Sequence, residues 1–82
     1  MPEISRFYGI VIRMFFGDHP PKHIHAEYGD KVGVFDIETG EMIQGDMSKR
    51  SKKLVKEWIL INSKALVAMW EKQEISQLPP LV

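Results

Sequence analysis

Cysteine is absent from the chain, which removes disulfides, thiol nucleophiles and every cysteine-held zinc or iron–sulfur site in one step. Long apolar runs are missing as well: none approaches the roughly 20 residues that a bilayer-spanning helix requires, and no basic segment leads into a signal-like apolar core at the N-terminus. The expectation is a cytoplasmic protein without membrane contact. Net charge is also absent, because eleven basic and eleven acidic side chains cancel. Bulk electrostatics therefore give no case for non-specific nucleic-acid binding, although a local basic surface is compatible with it. With only 82 residues there is no room for a second domain carrying its own cofactor fold, and a chain this short buries only about 60% of its unfolded surface. Its stability then depends on good packing or on a partner.

What is present is the composition of a folded protein: 44% apolar and 27% charged residues, well away from the balance of a disordered tail. The zero net charge conceals a division. Residues 1–46 hold four basic and eight acidic side chains, and residues 47–82 hold seven basic and three acidic.

Residues 7–16 (Phe-Tyr-Gly-Ile-Val-Ile-Arg-Met-Phe-Phe) are apolar on both alternating faces apart from Arg13, the pattern of a strand covered on both sides. A loop with Pro20 and Pro21 follows. Residues 23–28 then alternate, with His23, His25 and Glu27 on one face and Ile24, Ala26 and Tyr28 on the other. Gly29-Asp30 supplies a tight turn, so a strand over 31–37 returns antiparallel and sets His23 across from Asp36. Thr39-Gly40 makes the next turn, before a short edge strand over 41–44.

From Ser48 to Gln73 neither proline nor glycine occurs, and Leu54, Val55, Trp58, Ile59, Ile61, Ala65, Leu66, Met69 and Trp70 fall within one helical sector. One long amphipathic helix over 48–73 is expected, although Asn62-Ser63 could instead cap a second helix. An extended tail over 74–82, with Pro79 and Pro80, completes the chain. The fold class expected is α+β in a single domain over 1–82. It comprises a small antiparallel meander of three to four strands packed on one long C-terminal amphipathic helix.

Three features could carry chemistry. His19, His23 and His25 lie within seven residues, in a chain with no other histidine. Imidazoles so placed can pass protons or bind a divalent transition metal, with His19, Asp36 or Glu27 as a third ligand; alternatively they simply cover a polar sheet face. His23 opposite Asp36 could be an oriented general base or an ordinary cross-strand pair. Lys49, Arg50, Lys52, Lys53 and Lys56 crowd the start of the helix, where the backbone dipole prefers acids. They could hold phosphates or an acidic partner, or form a solvated face. Leu60 and Val67 fall on the same outer side and hint at contact with another chain, either a partner or a second copy.

The stretch Pro2-Glu3-Ile4-Ser5-Arg6-Phe7-Tyr8-Gly9-Ile10, followed by Asp18-His19-Pro20-Pro21-Lys22-His23-Ile24-His25-Ala26-Glu27-Tyr28, resembles the signature of a family of small bacterial proteins catalogued as a domain of unknown function. The resemblance continues through Asp36-Ile37-Glu38 into a helix bearing Leu54, Val55, Glu57, Trp58 and Trp70. It implies a short protein, often encoded beside a second small protein in an arrangement like that of toxin–antitoxin modules, and it assigns no catalytic role to the histidines.

Two functional readings follow. One is a binding component of such a two-protein module, engaging its partner through the helix and an exposed sheet edge. The other is a histidine-dependent phosphodiesterase acting on RNA, with or without metal assistance. In it His23, oriented by Asp36, and His25 or His19 share acid and base roles, while Lys52, Lys53 and Lys56 hold phosphate.

Overall fold

The computed structural model describes residues 3–15 and 21–82. Within them are five strands, β1 (Glu3–Phe7), β2 (Ile10–Arg13), β3 (His23–Tyr28), β4 (Lys31–Asp36) and β5 (Met42–Gly45), and one helix, α1 (Lys49–Lys72). The strands form a single antiparallel sheet in the order β1-β2-β3-β4-β5. The meander has more strands than the three to four expected.

The difference arises at Tyr8-Gly9. Instead of one strand over 7–16, the chain reverses there, with φ of 49° at Tyr8 and 81° at Gly9. Two successive positive φ values are the geometry of the tightest hairpin turns. Phe7 then faces Ile10 across the β1–β2 ladder. Glycine is required here on a second ground: a Cβ on Gly9 would lie 2.8 Å from the Tyr28 ring.

The Gly29-Asp30 turn sets the expected register, with Tyr28 facing Lys31, Ala26 facing Gly33 and His23 facing Asp36. Alternation then sends Ile10, Ile12, Ile24, Ala26 and Phe35 to the face under α1, where they are buried together with Val55, Trp58, Ile59, Leu66 and Met69. Arg13, His25, Glu27 and Val34 line up on the opposite face.

Ser48 caps α1 by accepting the Ser51 amide on its hydroxyl at 3.1 Å, and Gln73 ends it in the left-handed conformation with φ 57°. The helix is interrupted at Asn62 (φ −108°, ψ 15°), whose Nδ2 donates to the Trp58 carbonyl at 2.9 Å. Burial departs from the expected sector at two positions. Ile61, expected in the core, is 72% exposed, whereas Val67, expected outside, is partly buried against the core; Leu60 stays outside at 52%.

Residues 74–82 run back along the sheet. Leu78 N–H donates to the Ile4 carbonyl, Gln77 Nε2 donates to the Glu3 carbonyl, and Trp58 Nε1 donates to the Pro79 carbonyl at 2.8 Å. Ile75, Leu78 and Leu81 pack on the core.

Candidate functional site

β3 presents His23 and His25 on the same side of the strand, as residues two apart must be, and their ring centroids are 5.3 Å apart. The His25 ring meets Phe15 edge-on at 4.7 Å, and the His23 ring meets the indole of Trp70 at 5.1 Å. Four rings therefore stand in a row, Phe15, His25, His23 and Trp70, joining the sheet to the last turns of α1. His23 is almost fully buried at 6% exposure. Its Nδ1–H donates to the Pro21 carbonyl at 2.6 Å, which fixes the ring plane and places a proton on Nδ1.

Asp36 does not orient His23. The two are Cα partners, but Asp36 Oδ1 accepts the amides of Glu38 at 2.7 Å and Thr39 at 3.2 Å, and no hydrogen bond or ion pair joins its carboxylate to the imidazole. A short acidic side chain at the first position of a turn captures the following backbone amides before it can reach across a strand. The backbone carbonyl of Pro21 takes the orienting part that Asp36 was expected to play.

Glu27 is held by Arg13, whose Nε donates to Oε2 at 3.2 Å across the β2–β3 ladder. His19 lies outside the described residues. Among the described residues, no three histidine, aspartate or glutamate side chains come together as a metal-holding group.

The lysine cluster occupies the other end of α1. Lys49, Lys52, Lys53 and Lys56 flank a shallow groove of about 240 Å³, whose remaining walls are Phe35, Met42 and the Gly40-Glu41 segment. Gly40 allows the β4–β5 turn to press on the helix: a Cβ there would lie 2.9 Å from Lys56 Cγ. Lys56 Nζ donates to Glu41 Oε2, while Lys49, Lys52 and Lys53 form no ion pair among the described residues. Arg50 is exposed and does not line the groove. The first turn of α1 contains no acid. Five like-charge pairs three or four residues apart, 49–52, 49–53, 50–53, 52–56 and 53–56, each cost about 0.2–0.5 kcal/mol. The helix dipole adds about 0.3–1 kcal/mol per misplaced charge. The arrangement is unfavourable for the isolated chain.

The imidazoles and the lysines are not neighbours. Lys53 and Trp70 both lie on α1, and their seventeen-residue separation at about 1.5 Å per residue is roughly 25 Å. No histidine among the described residues lines the lysine groove.

A family described as Domain of unknown function (DUF4160) matches residues 9–71. The chain belongs to this family. The matched span runs from the Tyr8-Gly9 turn through both candidate clusters to the last turn of α1. No curated protein and no solved structure matches the chain.

Phe15, Trp70 and the Pro21 carbonyl around the histidines, and Glu41 beside the lysines, were not among the expected site residues. Trp70 meets His23 only through the tertiary fold, so no local spacing signals the contact. Glu41 could have been found: a carboxylate just after the Thr39-Gly40 turn faces whichever element packs on that turn.

Proposed function

We propose that this cytoplasmic chain is the protein-binding component of a bacterial two-protein module of toxin–antitoxin type, its partner being the small protein encoded beside it. The observation that supports this reading is that no histidine among the described residues lines the lysine groove, while His23 is almost fully buried among aromatic rings. Transesterification needs acid, base and phosphate clamp around one reacting group, within hydrogen-bond reach. Here the histidines are packed among aromatic rings and the cations stand apart on an exposed face, an arrangement suited to holding another surface. No described helix is long and apolar enough to cross a membrane.

The test is co-expression with the neighbouring gene product followed by size-exclusion chromatography. Co-elution is the expected result, and independent migration of both proteins at micromolar concentration overturns the reading. The phosphodiesterase reading is checked on the same preparation. The binding reading expects no RNA cleavage dependent on His23 or His25, so activity that disappears in both His23→Ala and His25→Ala would restore the enzyme.

A further inference from the structure

We infer that the groove between the β4–β5 turn and the first two turns of α1 is the docking site for an acidic segment of the partner protein, with carboxylates on Lys49, Lys52 and Lys53 and apolar side chains against Met42. The inference rests on the binding reading above and adds the surface and its ligand chemistry. Three observations carry it.

The groove wall holds four ammonium groups, and among the described residues only Lys56 of these is ion-paired, through Glu41. That pair is an internal example of the contact in question: a carboxylate from the β4–β5 side of the groove meeting a lysine of α1. Lys49, Lys52 and Lys53 repeat the same wall without an ion pair among the described residues, Lys52 having only the longer-range attraction of Asp46, which is itself bonded to Lys31.

The floor is apolar, formed by half-buried Met42 over fully buried Phe35. A polyphosphate backbone gains nothing from such a floor, whereas a peptide that alternates carboxylate with apolar side chains matches both surfaces. Thioether side chains also adapt to ligands of varied shape.

No aromatic side chain stands exposed in the groove to stack a base, and the guanidinium of Arg50 lies off its walls. These facts favour a protein carboxylate over nucleic acid.

The test uses the full chain, labelled with ¹⁵N and titrated with a ten-residue peptide of alternating glutamate and valine, its lysine–valine counterpart serving as control. Shifts concentrated at Met42, Lys49, Lys52 and Lys53 and weakened by salt are expected with the acidic peptide alone. The combined variant Lys49→Glu, Lys52→Glu and Lys53→Glu places acids at the helix start, where the dipole favours them, so it should fold. It should bind the peptide at least tenfold more weakly and should fail to co-elute with the neighbouring gene product, while Lys64→Glu behaves as wild type.

Absence of peptide shifts, equal shifts with the basic peptide, or a decauridine displacing the peptide from the same amides would overturn the inference. If wild type and triple variant both co-elute with the partner, the groove is excluded and the binding reading survives. If the peptide docks as expected but the wild type never co-elutes, the choice of partner fails while the groove stands.

Discussion

At its β1 border the sheet is closed by the chain itself: residues 77–79 donate to or accept from Glu3, Ile4 and Trp58, and Leu78 and Leu81 pack beneath. At its β5 border nothing among the described residues pairs with the far side of the strand. That border is instead short and irregular. Ile43 is an extra residue between the Val34–Gln44 and Phe35–Met42 pairs, and Gly45 is held at φ 104°. A bulge and a short strand discourage edge-to-edge pairing without covering the edge. One border is thus protected by occupation and the other by irregularity, and only the second stays open beside the lysine groove.

The comparison breaks most severely at Trp58, which is fully buried, stacks on Phe7 at 5.7 Å and anchors the tail through Pro79. Trp58→Ala is expected to cost about 3–5 kcal/mol, seen as loss of a cooperative transition in thermal or urea melts. Truncation after Ser76 removes the strap and uncovers β1. It should cost about 2–4 kcal/mol through lost burial of Leu78 and Leu81 and increase concentration-dependent self-association, measured by light scattering against the full chain.

Gly45→Ala attacks the opposite border, since its Cβ would lie 2.3 Å from the Val32 carbonyl oxygen at a φ that side chains disfavour. A loss of about 1–3 kcal/mol is expected, with amide-exchange protection lost in β4 and β5 and retained in β1 to β3. Ser5 runs the other way. Its hydroxyl is buried in β1 without a hydrogen-bond partner among the described residues, so Ser5→Ala should be neutral or stabilising by about 1 kcal/mol in the same melts.

The smallest effect is acidic and touches both borders. Hydrogen bonding to Arg6 holds the Glu3 carboxyl below its ordinary value, and Lys31 does the same for Asp46. A carboxylate whose folded pKa is depressed stabilises the fold above its unfolded pKa and loses that contribution as pH falls through the folded one. The two contributions should therefore fade below about pH 4.5 for Glu3 and below about pH 3.8 for Asp46, the ordinary values of these groups. Both are solvent-exposed and screened, so only a shallow slope is expected. Glu3→Gln with Asp46→Asn should flatten the acid limb of a stability profile.

The β3–β4 hairpin was legible because glycine and aspartate sit where a two-residue turn needs them, and period-two alternation then fixes every partner. The Tyr8-Gly9 turn was not legible. Tyrosine seldom accepts positive φ, and the apolar residues on both sides continue as if the strand did. Helix α1 was readable from its sector and its Ser48 cap. The exposure of Ile61 and the partial burial of Val67 were not, because residues at the margin of a helical sector are covered or left open by what packs beside them. The pairing of His23 with Asp36 was correct for the backbone and misleading for the side chains, since a turn amide competes for the same carboxylate oxygen. The contact of His23 with Trp70 depends on where the far end of α1 comes to rest, which local pattern does not encode.

The bond from the Trp58 indole to the Pro79 carbonyl gives the molecule an intrinsic optical gauge. When the strap lifts, this fluorophore exchanges a fixed acceptor and a dry surrounding for water, and its emission moves to the red. Tail detachment can thus be followed in unlabelled protein, with Trp70→Phe removing the only other indole signal.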